Sequence, residues 1–288
     1  MISYESITIY ITGNTIFLSL GYIQYKCVLY LKYSNILLDF CILYIIYIIR
    51  SYFLINFVDF ISRKKIKINN TPSKIPIESY KYEFHRYVLF NTLIESTIHF
   101  FTIEKIINIE KVSNIYFDLI YFIPISFLYE IIYDLFFYIV HRLFHDKKLY
   151  KLIHKTHHKY NHPISILTYY TNPLDMALSS TVPSLITLYL IPHISFLQFN
   201  YILIYKNVLE IFGHCGKKSY TSGYPSGYPS GSFFQFPWVV KYLNIELHTE
   251  DHDLHHLLNN CNYGKRFSLW DKVFNTYKSG HEYYLKKN

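Results

Sequence analysis

Three histidine clusters carry the chemistry this chain could perform. His141 and His145 stand four residues apart, His154, His157 and His158 follow in H-x-x-H-H spacing, and His252, His255 and His256 repeat that spacing far downstream. On a helix, residues three and four apart share a face, so each cluster is expected to aim its imidazoles at one centre. Imidazole binds iron, zinc, copper and nickel alike, so the spacing points to a transition metal without naming it.

His214, in a Gly-His-Cys-Gly stretch, and His248, one turn before His252, extend the candidate ligand set. Structural zinc takes four ligands and catalytic zinc three plus water, so a set this large implies two metals. His85, His99, His162, His193 and His281 fall outside the repeated spacings and read as core, interface or loop residues.

Other side chains are placed to support the ligands. Asp134 and Tyr138 precede His141 by seven and three residues, on roughly the same helical face. Arg142 reads either as an ion-pair partner of Asp134 or as a further support, since ionisable groups at that depth are often functional. Glu210, one turn before His214, can supply an oxygen ligand or a hydrogen-bond acceptor, and Asp253 lies inside the third cluster.

The elements that position these residues are apolar. Half of the 288 residues are hydrophobic (51%), gathered in runs at 15–33, 36–61, 87–103, 115–140 and 177–212, the last long enough to cross a bilayer twice. A helical crossing needs about 20 residues, and Lys26, Lys32 and Arg50 interrupt the first two runs. The expectation is therefore an all-α, polytopic integral membrane protein of about four to six transmembrane helices.

Lysine-rich linkers at 63–81 and 146–159 flank two of these runs and are expected on the cytosolic side, which brings all the histidine clusters to one face. The net charge of +8 follows this positive-inside pattern and forms no stripe suited to nucleic acid. No basic region followed by an apolar core and a small-residue cleavage site opens the chain, so insertion is expected through internal spans. The four cysteines form no CxxC pair, which gives neither a disulfide framework nor a zinc ribbon. Residues 222–231, with SGYP in tandem, read as a loop expansion without chemistry.

The clusters resemble those of the fatty acid hydroxylase and sterol desaturase superfamily: H-x-x-x-H, then H-x-x-H-H twice, beside membrane spans. The resemblance includes Asp134, Tyr138, Arg142, Asn262-Tyr263-Gly264, Trp270-Asp271, Phe274 and Thr276, and covers residues 128–277. Tyr170 to Asp175 and Leu209-Glu210 look most like the sterol C4-methyl oxidase branch, from which Asn172 departs, since that branch has histidine there. The expected organisation is a transmembrane region and basic linker at 1–127, a catalytic domain at 128–277 and a short basic tail at 278–288.

The resemblance implies a cytosolic helical cap that holds two iron ions, with zinc able to take the same ligands. It implies O2-dependent hydroxylation, or desaturation, of a sterol or long-chain lipid at an endoplasmic reticulum membrane. Electrons are expected from NAD(P)H through a separate cytochrome b5 and its reductase, because the chain has no His-Pro-Gly-Gly haem motif. Acidic b5 suits the basic face. Two other classes compete: a metal transporter, which would carry its histidines within spans, and a non-catalytic lipid-binding protein.

Overall fold

The computed structural model describes residues 4–31, 35–68, 81–105, 114–191, 194–219 and 233–286. The SGYP tandem, His193, the last two residues and most of the 63–81 linker lie outside the described residues. Among the described residues all regular structure is helical, apart from one isolated bridge between Lys67 and Lys217.

Six long helical stretches build the body: α1 (Tyr4–Leu29), α2 (Ile36–Ser62), α3 (Lys81–Lys105), α4 (Ile115–Phe144), α5 (173–190) and α6 (Phe196–Gly213). Their starts are set by local side chains. Asn35 accepts from the Leu38 N–H at the head of α2, Asn114 accepts from Tyr116 and Phe117 at α4, and Ser195 with Gln198 closes a capping box on α6. At α5, Asn172 accepts from the Leu174 N–H and Pro173 follows in the first turn, where its missing donor is harmless. Asn172, the departure from the sterol oxidase pattern, is thus a helix cap. α5 contains a π-helical turn at Ala177–Thr181, which buries Ser179 and Ser180.

α6 is the central post. Every residue from Phe196 to Gly213 except Glu210 is buried, as expected for a helix enclosed on all sides. Phe17 of α1, Tyr47 and Leu54 of α2, and Phe122, Tyr129 and Tyr133 of α4 share one core with it. α1 approaches closely at Gly21, where a Cβ would lie 2.5 Å from the Tyr201 ring, so only glycine fits this crossing.

Directions alternate along the body. Glu83, early in α3, takes the Tyr170 hydroxyl beside the second histidine cluster, while the Asp118 carbonyl, early in α4, takes Gln198 at the opposite end. The run at 177–212 is indeed a helical hairpin. α2 and α4, at 27 and 30 residues, are long and apolar enough to cross a membrane. They expose Ile45, Ile49 and Phe53, and Ile120, Leu128 and Ile139, outward, a surface suited to lipid.

Above one end of the body a short-helix region carries the clusters. It comprises a π-helical turn at Tyr150–His154, a 3-10 turn at His157–Lys159, α7 (Thr249–Leu258), and short helices at Leu269–Val273 and Gly280–Leu285.

Candidate metal centre

Nine of the ten candidate histidines come together in two groups, each with its ring nitrogens within 4.8 Å of one another. One holds His141, His145, His154, His158 and His255, the other His157, His214, His252 and His256. The groups adjoin, with the His158 and His256 rings 4.6 Å apart.

His141 and His145 share one group, as their spacing suggests, whereas each H-x-x-H-H cluster is divided between the two. His154 and His158 belong to one group and His157 to the other, on a segment that passes from a π turn into a 3-10 turn. α7 is regular, yet it too is split: His252 and His256, four apart, face one group, and His255 faces the other.

Hydrogen bonds fix the tautomers. His141 Nδ1–H donates to the Tyr263 carbonyl (2.7 Å), His154 to Asp175 Oδ2 (2.6 Å), His214 to the Glu210 carbonyl (2.8 Å) and His255 to the Cys261 carbonyl (2.7 Å). Each therefore turns an Nε2 lone pair inward. Those nitrogens face one another: His141 and His158 Nε2 each lie 3.0 Å from His154 Nε2, His255 lies 3.2 Å from His158, and His252 lies 3.1 Å from His214.

A second proton is disfavoured on these rings. Burial first, then neighbouring imidazoles, holds His157, His158, His252 and His256 well below the ordinary histidine range, and burial brings His255 down to about 3. The Nε2 lone pairs of His141 and His154, both turned inward 3.0 Å apart, repel unless a cation lies between them. The buried His145 Nε2, which has no hydrogen-bond partner, adds one more free donor to the first group. Nine imidazole nitrogens, with no carboxylate oxygen among them, suit a borderline transition metal better than magnesium or calcium. The donor set fits two such ions.

The supporting residues act differently from the expectation. Asp134 does not touch a ligand ring; its carboxylate accepts from the backbone N–H groups of Lys265 (2.7 Å), Arg266 (2.8 Å) and Phe267 (3.1 Å). Asp271 accepts from the Tyr263 N–H (2.8 Å) and Gly264 N–H (2.7 Å). Together they pin the loop that presents the Tyr263 carbonyl to His141. Tyr138 pairs with Thr276 Oγ1 (2.9 Å) and receives Arg142 (2.9 Å), so these two side chains also steady that region and not a ring. Arg142 therefore does not pair with Asp134.

Glu210 is corrected too. Its carboxylate is engaged by Lys206, Lys265 and Arg266, and only its backbone carbonyl serves the site, through His214. Asp253 sits on the far side of α7, accepting from His162 (3.0 Å) and from Tyr284. His248 stands outside both groups as the residue preceding α7, where its backbone N–H donates to Asp251 Oδ2 (2.9 Å).

Asp175 is the functional residue that spacing missed. It is 2% exposed and also accepts from Thr171 (2.9 Å), which holds the carboxylate against His154. Such carboxylate–histidine pairs orient the ring and raise ligand basicity. Asp175→Ala is expected to weaken metal retention about 10–100-fold, read by competition with a chelator; unchanged retention would remove Asp175 from the site. A cavity of about 70 Å³ opens against the rings, lined by His141, His154, His157, His214 and His252 and by Ser180.

The fold and site define a helical protein with a paired histidine cage, set against an apolar bundle. A model of the fatty acid hydroxylase family matches residues 126–276, more than half of the chain, and the chain belongs to that family. Among curated proteins it is similar to the fatty acid hydroxylase vlmA of Lecanicillium sp. (29% identity; 52% of this chain, 40% of that one). It is also similar to the C-4 methylsterol oxidase erg25 of Schizosaccharomyces pombe (28%; 54% and 47%) and to human lathosterol oxidase (29%; 54% and 44%). The chain thus spans about half the length of the curated relatives it matches. No solved structure matches it.

Proposed function

We propose that this chain is a membrane-embedded, O2-dependent lipid oxidoreductase that holds two iron ions, one in each histidine group. The observation that carries this reading is the convergence of nine imidazole nitrogens, with the Nε2 atoms of His141 and His154 turned toward each other, against a cavity that opens toward an apolar helical body. When bound, the iron pair supplies the activation of O2 against an unactivated C–H bond. Relatives named as hydroxylases, sterol oxidases and desaturases support the choice of lipid substrate and oxidative chemistry.

The residues of this chain keep the site neutral, oriented and dry. Asp175 holds the His154 proton at Nδ1, and the Tyr263 and Cys261 carbonyls do the same for His141 and His255, so these three rings turn an Nε2 lone pair inward. Phe137, Met176, Leu209 and Leu247 line the cavity and exclude bulk water from a reacting C–H bond. Hydroxylation is the favoured outcome; loss of a second hydrogen would give the alkene.

On this reading the body crosses the bilayer four to six times and the histidine region is a cytosolic cap at an endoplasmic reticulum membrane. A separate cytochrome b5, fed by NAD(P)H through its reductase, docks on the basic face. A metal-translocation path is disfavoured because the histidines lie at helix ends and in short turns, not along the bundle interior.

The test is anaerobic purification in detergent, measurement of metal per chain, and oxidation assays on sterol and long-chain lipids with added b5 and reductase. About two irons per chain, with oxidation that needs O2 and reductant, is the expected result. Two zincs would call for iron reconstitution before the assay, and well-folded protein that binds no metal would overturn the reading.

A further inference from the structure

A second cavity lies deeper in the bundle, between α2, α3, α5 and α6. It measures about 50 Å³ and is walled mainly by Leu185, Leu188, Phe199 and Leu203. Two polar side chains face it without hydrogen-bond partners. His99 is 5% exposed and neither of its ring nitrogens is bonded; Tyr47 is fully buried and its hydroxyl is likewise unbonded. Their rings meet edge to face at 5.4 Å.

A buried polar group left unbonded costs about 1–3 kcal/mol, so two in one cavity call for a ligand of matching chemistry. The charged side chains around the cavity are already engaged. Glu95 is paired with Arg50 and takes Asn207 (3.2 Å), and Lys206 is paired with Glu210 (3.6 Å). What remains is an imidazole, with one donor and one acceptor, and a phenol. Such a pair suits a neutral hydroxyl, and the Glu95 carboxylate at the rim disfavours an anion.

The cavity meets the metal-side cavity at a single residue. Ser180, in the π-helical turn of α5, borders both cavities. His99 packs on the Phe199 ring at 5.5 Å, and α6 from Phe199 to His214 rises about 22 Å at 1.5 Å per residue. The space takes a terminal group, not a whole lipid.

We propose that His99 and Tyr47 anchor a hydroxyl group at one end of an elongated lipid whose other end reaches the histidine groups. The assignment of the reacting end rests on the function proposed above; the anchoring site does not.

The experiment uses full-length, metal-loaded protein in lipid nanodiscs, with deuterated hexadecanol and deuterated hexadecane as probes and protein-bound probe read by mass spectrometry. Partition into the bilayer is common to all variants, so differences between them report the cavity. His99→Leu is expected to lower hexadecanol retention about tenfold, as for loss of a hydrogen bond or two, and to leave hexadecane unchanged; His99→Gln should restore part of the loss. Tyr47→Phe provides an independent variant and should lower hexadecanol retention several-fold. Equal hexadecanol retention in wild type and His99→Leu, or an equal fall for hexadecane, overturns the proposal. If His99→Leu fails to fold, unchanged retention in Tyr47→Phe overturns it. Metal per chain, measured on the same samples, reports separately on the histidine centre.

Discussion

His255→Ala is expected to halve the metal content and to abolish lipid oxidation. His255 is fully buried, with Nδ1 fixed by the Cys261 carbonyl and Nε2 3.2 Å from His158, and its truncation removes one nitrogen of five from the first group. His256→Ala should do the same to the second group, where only four nitrogens are gathered. Removal of a residue that merely orients a ligand lowers metal affinity about 10–100-fold, so loss of a ligand should exceed that and take activity down by more than about 100-fold. Elemental analysis of both variants beside wild type gives the answer. If each variant retains two metals and turns over lipid, the two-group assignment of α7 is wrong.

Asp134→Ala should be the most destabilising single change outside the ligands. Its carboxylate, fully buried, satisfies three consecutive backbone donors at Lys265, Arg266 and Phe267. Orphaning a buried donor costs about 1–3 kcal/mol. With partial relaxation of the loop, the loss should reach about 3–5 kcal/mol, the range of severe single substitutions. The released loop also carries the carbonyl that holds His141, so metal should be lost along with stability. Asp134→Asn keeps one acceptor and should fall between the two. Thermal unfolding in detergent, with metal retention followed in parallel, tests this; an Asp134→Ala protein that melts and binds metal like wild type would show that the loop holds itself.

Much of this was legible in the residues, for physical reasons. Long apolar runs without strand alternation pointed to the helical body that the described residues show, and clustered histidines marked the candidate ligands, because imidazoles repeated at three and four spacing have few other uses. The partition of ligands between two centres was not legible. In both H-x-x-H-H clusters the i and i+4 rings face one group and the i+3 ring the other, on the π and 3-10 turns and on the regular α7 alike, a difference that a rule placing all three on one face does not resolve. Asp175 was hidden because its partner, His154, lies across a turn-rich stretch and not on the same element. Asp134 and Tyr138 were singled out as supports of the ligand rings, yet their partners, the 265–267 backbone and Thr276, lie far along the chain where spacing along α4 cannot foresee them. α3 and α6 pass no hydropathy test for a span, since the Asn91, Glu95, Lys206 and Glu210 that lower their hydropathy pack inward among other helices.

The order in which ligands occur along the chain has a consequence for biosynthesis. The first group is begun by His141 at the end of α4 and completed only by His255, and the second needs His256. A ribosome that has delivered every apolar helix of the body has therefore not yet delivered a complete cage. On the diiron reading, loading follows insertion, and the ions tie the last-made segment back onto α4 and α6, as metal binding supplies folding energy to sites that do not exist in the unfolded chain. A cell short of iron would make inserted chains with loosely held caps and lose them to degradation. Protein abundance, not only activity, would then track iron supply, because whatever binds only the folded form also shields it from degradation.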